Sequence, residues 1–344
     1  MSADTRAGAG AGADAASEIR ATRDAAGLFD YSARGKLIVS GTDRIAFLQG
    51  MLTSNVAALA AGGGQRSAIV TAMGKMIANL LLLKRDNDVL IEAPPGRAPI
   101  VVETLTKYIV TEDVEAADIS SDLALLSVQG PLSAAVLREA LVQSVGAAIP
   151  EDAFTFRELA WRVAPLVLLR HDRFRLPGYD VWAPVTHAAS LRGAILHVGS
   201  AHGLASCGDD ARETLRIAAG RPAWGAEITE DSFPGEVGLA SAVSVKKGCY
   251  IGQEVLSRIH HVGHVNRILV RANVDASMEI PSAARLLDGA RDVGVITSLA
   301  PLAEGDRRAV IAMVRRDIVK ARPSLVVAPA GGAPLCPLEI VDVI

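Results

Sequence analysis

The longest apolar run in the chain, from Ile77 to Leu83, is interrupted by Asn79. A bilayer span needs roughly 18 to 20 consecutive apolar residues, so nothing here reads as a membrane segment, and this run fits a buried strand. Yet half of the 344 residues are hydrophobic and 21% are charged. So much apolar material in short pieces has to be buried by packing short strands and helices together, and the length allows roughly two or three domains. A net charge of -3 argues against bulk nucleic-acid binding. The opening MSADTRAGAGAGADAAS has no hydrophobic h-region and holds two Asp, so it predicts neither signal nor anchor. Residues 1–25 are expected to form a disordered tail.

Beyond the tail the texture divides the chain. In residues 26–118, KLIVSG is strand-like, and TDRIAFLQGMLTSNVAAL opens with a Thr/Asp cap and spaces Ile45, Leu48, Leu52 and Val56 as on a helix. Two or three strands follow, with turns at Gly74-Lys75 and at Asp86-Asn87-Asp88, and Pro99 sits near the start of a second helix. Residues 119–245 repeat this order of elements without a residue-level repeat. Residues 246–265 form a distinct segment, and residues 266–344 turn to short β-like runs separated by Gly, Pro and charged turns, which suggests a small barrel or sandwich. The fold class expected is α+β, two α+β units followed by a β-barrel.

Three cysteines without a CxxC fit a reducing compartment. Cys207 and Cys336 have ordinary surroundings and read as buried fillers. Cys249 lies between Gly248 and Tyr250, at the expected first turn of a helix through IGQEVLSRI. Unpaired N–H groups there, with Lys246 and Lys247, would favour a thiolate, and a buried turn cysteine is the competing reading. Glu254 suits the helix start. His260 and His264 have the i, i+4 spacing of a zinc pair, but HExxH is absent and Gly263 ends the helix, so no metal site is expected. Five basic residues against one acid between Lys246 and Arg271 point to an anionic ligand or partner. Neither a P-loop, GxGxxG nor GxSxG occurs in a suitable context.

The segment KKGCYIGQE resembles the K-G-C-Y-x-G-Q-E signature of the YgfZ family, folate-binding proteins related to the T-protein (aminomethyltransferase) of the glycine cleavage system. GLFDYSARGKLIVSGTDRIAFLQGMLTSNVAAL, GKMIANLLL, LTKYIV and LRIAAGRPAWGAEITEDSFPGEVGL fall in that superfamily's order, so the resemblance runs from about Ala26 almost to the end. It implies a body of two α+β units around a cleft for tetrahydrofolate or a related reduced folate, completed by the second unit, with a C-terminal β-barrel. It further implies a cytoplasmic accessory role in iron–sulfur cluster assembly or repair, and thereby in iron–sulfur-dependent tRNA modification, with iron–sulfur enzymes or assembly proteins as partners.

Within that resemblance Cys249 is the functional residue, as thiolate nucleophile, redox handle or transient iron ligand; a single thiol holds no stable cluster. Lys247, Gly248, Tyr250, Gly252, Gln253, Glu254 and Arg258 complete the signature, while Asn79, Lys107 and Tyr108 are the expected cleft wall. T-proteins carry an acidic pair where this chain has Ala78-Asn79, and an amide can be neither anion nor base near neutral pH. Leu176 and Ala218 likewise stand where the T-protein has acids. An accessory protein is therefore expected before a folate-dependent aminomethyl or one-carbon transferase, and a thiol- or metal-dependent interaction module without folate is the third reading.

Overall fold

The computed structural model describes residues 15–141, 149–321, 324–329 and 332–344. Of the expected disordered tail, residues 1–14 lie outside the described residues, but Ala15–Asp24 is a helix, α1. Its single large apolar residue, Ile19, packs with Phe29, Phe174 and Leu215, and its Glu18 carboxylate accepts from the amide of Gly208. One long-range apolar contact and one buried charge decide this helix, and neither is visible in an Ala-rich stretch.

Next come β1 (Ala26–Asp30), β2 (Gly35–Ser40), α2 (Arg44–Met51), β3 (Gly64–Val70), β4 (Met76–Lys84), β5 (Asp88–Ala93), α3 (Ala98–Thr106) and β6 (Glu115–Asp118). Five of these strands form a sheet in the order β3-β4-β5-β2-β6. The helix expected to continue past Leu52 stops at Met51, because Leu52 is extended and bridges Ile69. The expected cap does not form either. Thr42 donates to the Asp113 carboxylate and Asp43 accepts from the Asp113 amide, so both are engaged in tying two loops together.

The second sheet uses β7 (Leu123–Gln129), β8 (Phe156–Trp161), β9 (Ala164–Arg170), β10 (Gly178–Pro184) and β11 (Leu204–Ser206), with α4 (Ser133–Ala140), α5 (Val185–Ala201) and α6 (Asp209–Ala218). Its order, β11-β1-β7-β10-β9-β8, includes β1. The division at residue 118 therefore needs correcting: β1 pairs antiparallel with β7 and parallel with β11, and belongs to the second sheet.

Alternation along the strands explains how the sheets stack. On the first sheet Ala78, Leu80 and Leu82 face α2 and α3, and Leu81, Leu83 and Leu90 face the other way. On the second, Val181 and Ala183 face α4 and α5, whereas Val167, Leu169 and Trp182 meet Leu81, Leu83 and Leu90 between the sheets. Continuing two residues along these same inner faces brings Asn79, Glu92, Asp180 and His171, all polar. The inter-sheet layer is thus apolar at one end and polar at the other.

After α7 (Gln253–His261) the chain forms β12 (Arg267–Asp275), β13 (Arg285–Asp288), β14 (Arg291–Leu299), β15 (Arg307–Arg315), α8 (Arg316–Ala321), β16 (Leu325–Ala328) and β17 (Cys336–Val343). Six strands close into a barrel in the order β12-β15-β14-β13-β16-β17, which leaves no free sheet edge. The barrel has its own core, and a separate cluster that includes Leu269, Ile311 and Met313 joins it to Val70, Met76, Tyr250 and Leu256. Among the described residues no helix is long and apolar enough to cross a membrane.

Candidate functional site

A cavity of about 320 Å³ opens at the polar end of the inter-sheet layer. Its wall includes Asn79, Glu92, His171, Tyr31, Trp224, Ile228 and Leu239, and six arginines: Arg34, Arg66, Arg173, Arg212, Arg216 and Arg221. Glu92 and Asp180, from opposite sheets, are both buried, and Arg173 joins them by bonds of 2.9 Å to Glu92 and 2.7 Å to Asp180. Arg34 also pairs with Glu92, and His171 Nδ1 lies 2.7 Å from Asp180.

These pairings decide protonation. Burial alone would raise the carboxyl of Asp180, but Arg173 and then His171 outweigh it and hold the group far below the carboxylate range. Glu92 is likewise held down, burial being overcome by Arg173 and Arg34. Burial lowers His171, only partly offset by Asp180, so its ring is neutral near pH 7. Burial pushes the Tyr31 phenol up to about 12 despite the nearby Arg173. Glu92, His171 and Asp180 offer ligand atoms within 4.8 Å of one another, but a metal ion there would have to displace Arg173 from both carboxylates.

Asn79 lines this cavity, and its Oδ1 is buried without a hydrogen-bond partner. Its neighbour Ala78 points into the core beneath α2 and α3. Lys107 and Tyr108 need correcting. They follow α3, which covers the outer face of the first sheet, so both lie outside the cavity wall and Tyr108 is 44% exposed. Leu176 packs in the cluster around Ile19 and Phe29, and the carbonyl of Ala218 accepts from Arg271.

The signature segment forms a separate feature. Cys249 is exposed and precedes α7 by a full turn of loop, so the expected position in the first turn of that helix is corrected. Lys247 does not face the thiol. Its ammonium points inward and donates to the carbonyls of Gln49 at 2.6 Å, Ser54 at 2.9 Å and Leu52, at the C-terminal end of α2, where carbonyls lack helical donors. Burial pushes the Lys247 ammonium down to about 8. Tyr250 is buried beside it, with the ammonium 4.5 Å from its ring centroid and its hydroxyl unpartnered. Cys249 and Gly248 are therefore presented outward between two inward anchors.

The remaining motif residues hold the loop in shape. Gly252 has φ +82, and a Cβ there would lie 2.6 Å from the carbonyl oxygen of Thr71. Gln253 accepts from the Tyr250 amide at 3.3 Å, and Ile251 donates to Gly50. Glu254 and Arg258 form an exposed i, i+4 pair at 3.1 Å, a stabiliser of α7 worth about 0.3–0.5 kcal/mol. His260 and His261 stack edge to face in the open, while Cys207 is half-buried, with its thiol raised by burial to about 12, and Cys336 is buried.

Cys249 is not among the residues that line the cavity. The link is indirect: Tyr250 packs in the same apolar cluster as Ile228 and Leu239, which do line the cavity. Sequence reasoning also missed the Glu92–Arg173–Asp180–His171 network. Its signal was a single acid in an otherwise apolar strand, in VLIEAP and in GYDVWAP, where an unpaired charge would not be buried.

The GCVT N-terminal domain matches residues 9–247. The chain belongs to that family. Relatives of this GCVT-domain protein include the aminomethyltransferase of Shouchella clausii, 33% identical over 82% of this chain and 76% of that one. The aminomethyltransferase of Bacillus pumilus is 30% identical over 82% of this chain and 77% of its own length. The crystal structure of glycine cleavage system aminomethyltransferase T from Bartonella henselae superposes with a TM-score of 0.82 at 23% identity, covering 95% of this chain and 88% of that one. The GCVT-domain chain therefore has the T-protein-like fold, with two mixed α/β sheets and a closed six-stranded C-terminal barrel.

Proposed function

We propose that this protein is a cytoplasmic folate-binding accessory factor of the YgfZ type. It holds tetrahydrofolate or a related reduced folate in the inter-sheet cavity. It presents Cys249 to iron–sulfur enzymes or their assembly proteins, supporting cluster assembly or repair and thereby iron–sulfur-dependent tRNA modification. The GCVT fold supports the folate part of this reading, as does a cavity within the roughly 300–1,000 Å³ range of ligand sites. Two features of the wall suit such a ligand: the buried, unpartnered acceptor of Asn79 and the aromatic face of Trp224.

The observation that carries the choice of an accessory factor over a transferase is the state of the carboxylates. Where the resemblance places the catalytic acid of T-proteins, this chain has the amide of Asn79. Each acid on the wall is already engaged: Glu92 with Arg173 and Arg34, Glu213 with Arg216, and Asp30 as acceptor from the Ser32 amide. Glu92, held by two guanidinium groups, is a poor base, since its lone pairs are occupied and its pKa is depressed.

The relatives named aminomethyltransferase favour the competing reading, and one assay separates the two. The purified protein, incubated with tetrahydrofolate and an aminomethyl donor, should form no methylene-tetrahydrofolate above the blank. Titration with tetrahydrofolate should quench Trp224, which lines the cavity, whereas Trp161 and Trp182 do not. Methylene-tetrahydrofolate formed at a steady rate would replace the accessory reading with the transferase one. Unchanged fluorescence together with a silent calorimetric titration would remove folate from the proposal.

A further inference from the structure

Five of the six arginines on the cavity wall have an acidic partner among the described residues. Arg34 pairs with Glu92, Arg173 with Glu92 and Asp180, Arg212 with Asp209, Arg216 with Glu213 and Glu227, and Arg221 with Asp172. Arg66 has none. Among the described residues it makes neither an ion pair nor a side-chain hydrogen bond, and its one aromatic neighbour is the Phe154 ring, 5.6 Å from the guanidinium carbon. Burial, and then Arg221, lower its pKa to about 10 against the opposite pull of Asp172 and Glu92, so it is still a cation at neutral pH. A guanidinium with five donors, partly withdrawn from water and in hydrogen-bonding contact with no carboxylate among the described residues, is costly to maintain unless an anion completes it.

We propose that Arg66, beside Arg221, is the seat for the carboxylate-bearing tail of the cavity's ligand. This rests on the folate reading and narrows it to pterins whose far end is anionic. Arg221 contributes the same need, since its Nε is buried without a partner while one Nη2 holds Asp172. The register of β3 and β4 supports the arrangement. Arg66 lies opposite Leu81 and Ala68 opposite Asn79, so Arg66 and Asn79 are diagonal neighbours on one inner face. A single ligand lying along that face can meet the orphan acceptor at one point and the free cation at another. A purely structural arginine would be paired, as the other five are.

The test is calorimetric titration of the full-length protein with tetrahydrofolate and with its diamide, in which both glutamyl carboxylates are replaced by neutral isosteric amides. The diamide should bind about tenfold more weakly, the scale of one charge-assisted hydrogen-bonded contact. Arg66→Gln should weaken tetrahydrofolate by a similar factor and leave the diamide unchanged, and Arg66→Lys should retain part of the discrimination. Equal affinity of the unaltered protein for both compounds would overturn the seat while leaving folate binding in place. Binding of neither compound would overturn the folate reading, and the seat with it.

Discussion

Lys247 donates its ammonium to the carbonyl of Ser54 at 2.9 Å, although 193 residues separate the two in sequence. With the carbonyls of Gln49 and Leu52, this clasp fastens the loop that presents Cys249 to the end of α2. Among the described residues no carboxylate pairs with the ammonium, and carbonyl oxygens at and just beyond the C-terminus of α2 take its donors instead. Lys247→Met keeps the stem and removes the donors, leaving the carbonyls of Gln49 and Leu52 without this partner, while that of Ser54 keeps the Val56 amide at 3.1 Å. A loss of about 2 kcal/mol is expected in urea unfolding, and a change of under about 0.5 kcal/mol, the range of an ordinary surface substitution, would mean that the clasp is dispensable.

Cys249→Ala alters an exposed side chain on a loop whose shape is set by its neighbours. Unfolding midpoints should move by less than about 0.5 kcal/mol equivalent. Complementation of a strain deleted for the gene should nevertheless disappear. Full complementation by the alanine variant would remove the thiol from the function.

Gly252→Ala places a methyl group 2.6 Å from the Thr71 carbonyl oxygen and 2.8 Å from Val70 Cγ2, at a left-handed φ of +82. Both the backbone conformation and the close approach to the turn after β3 oppose it. Destabilisation of about 2 kcal/mol or more is expected, measured by thermal or urea unfolding. A neutral result would show that the loop can shift away from the turn.

Asp180→Asn tests the network between the sheets and sets its pH dependence. The folded-state pKa values of Asp180 and Glu92 lie below the unfolded ones, so their contribution is complete above the unfolded carboxylate pKa of about 4 and is lost as pH falls towards the folded values. His171, kept neutral by burial, acts with the same sign, because below about pH 6.5 the unfolded imidazole takes up a proton first. Stability should therefore fall steadily from pH 7 into acid. The asparagine variant should lose about 3 kcal/mol at neutral pH, as expected for breaking a buried pair, and show a shallower acid limb. A variant whose acid limb is as steep as that of the unaltered protein would assign the pH dependence to other carboxylates.

The sequence by itself determined the strands and helices with a clean period, such as KLIVSG and the barrel strands RILVRANV and RAVIAMVRR, and the signature around Cys249, which is contiguous. It also singled out Asn79, the amide that interrupts the apolar run from Ile77 to Leu83. Strands β8 and β13 passed unnoticed because mixed exposure or short length blurs their alternation, and β17 because Pro337 and the sequence Val341-Asp342-Val343 break an apolar alternation that its burial does follow.

Tertiary structure decided the rest. Whether Lys247 faces the thiol or the end of α2, whether β1 joins the first sheet or the second, and whether Glu92 and Asp180 are solvated acids or halves of a buried network are all questions of which distant residues meet. Local propensity acts over a few residues, whereas burial and ion pairing join residues on different sheets. The cavity exists only where the inner faces of two sheets stop matching apolar against apolar.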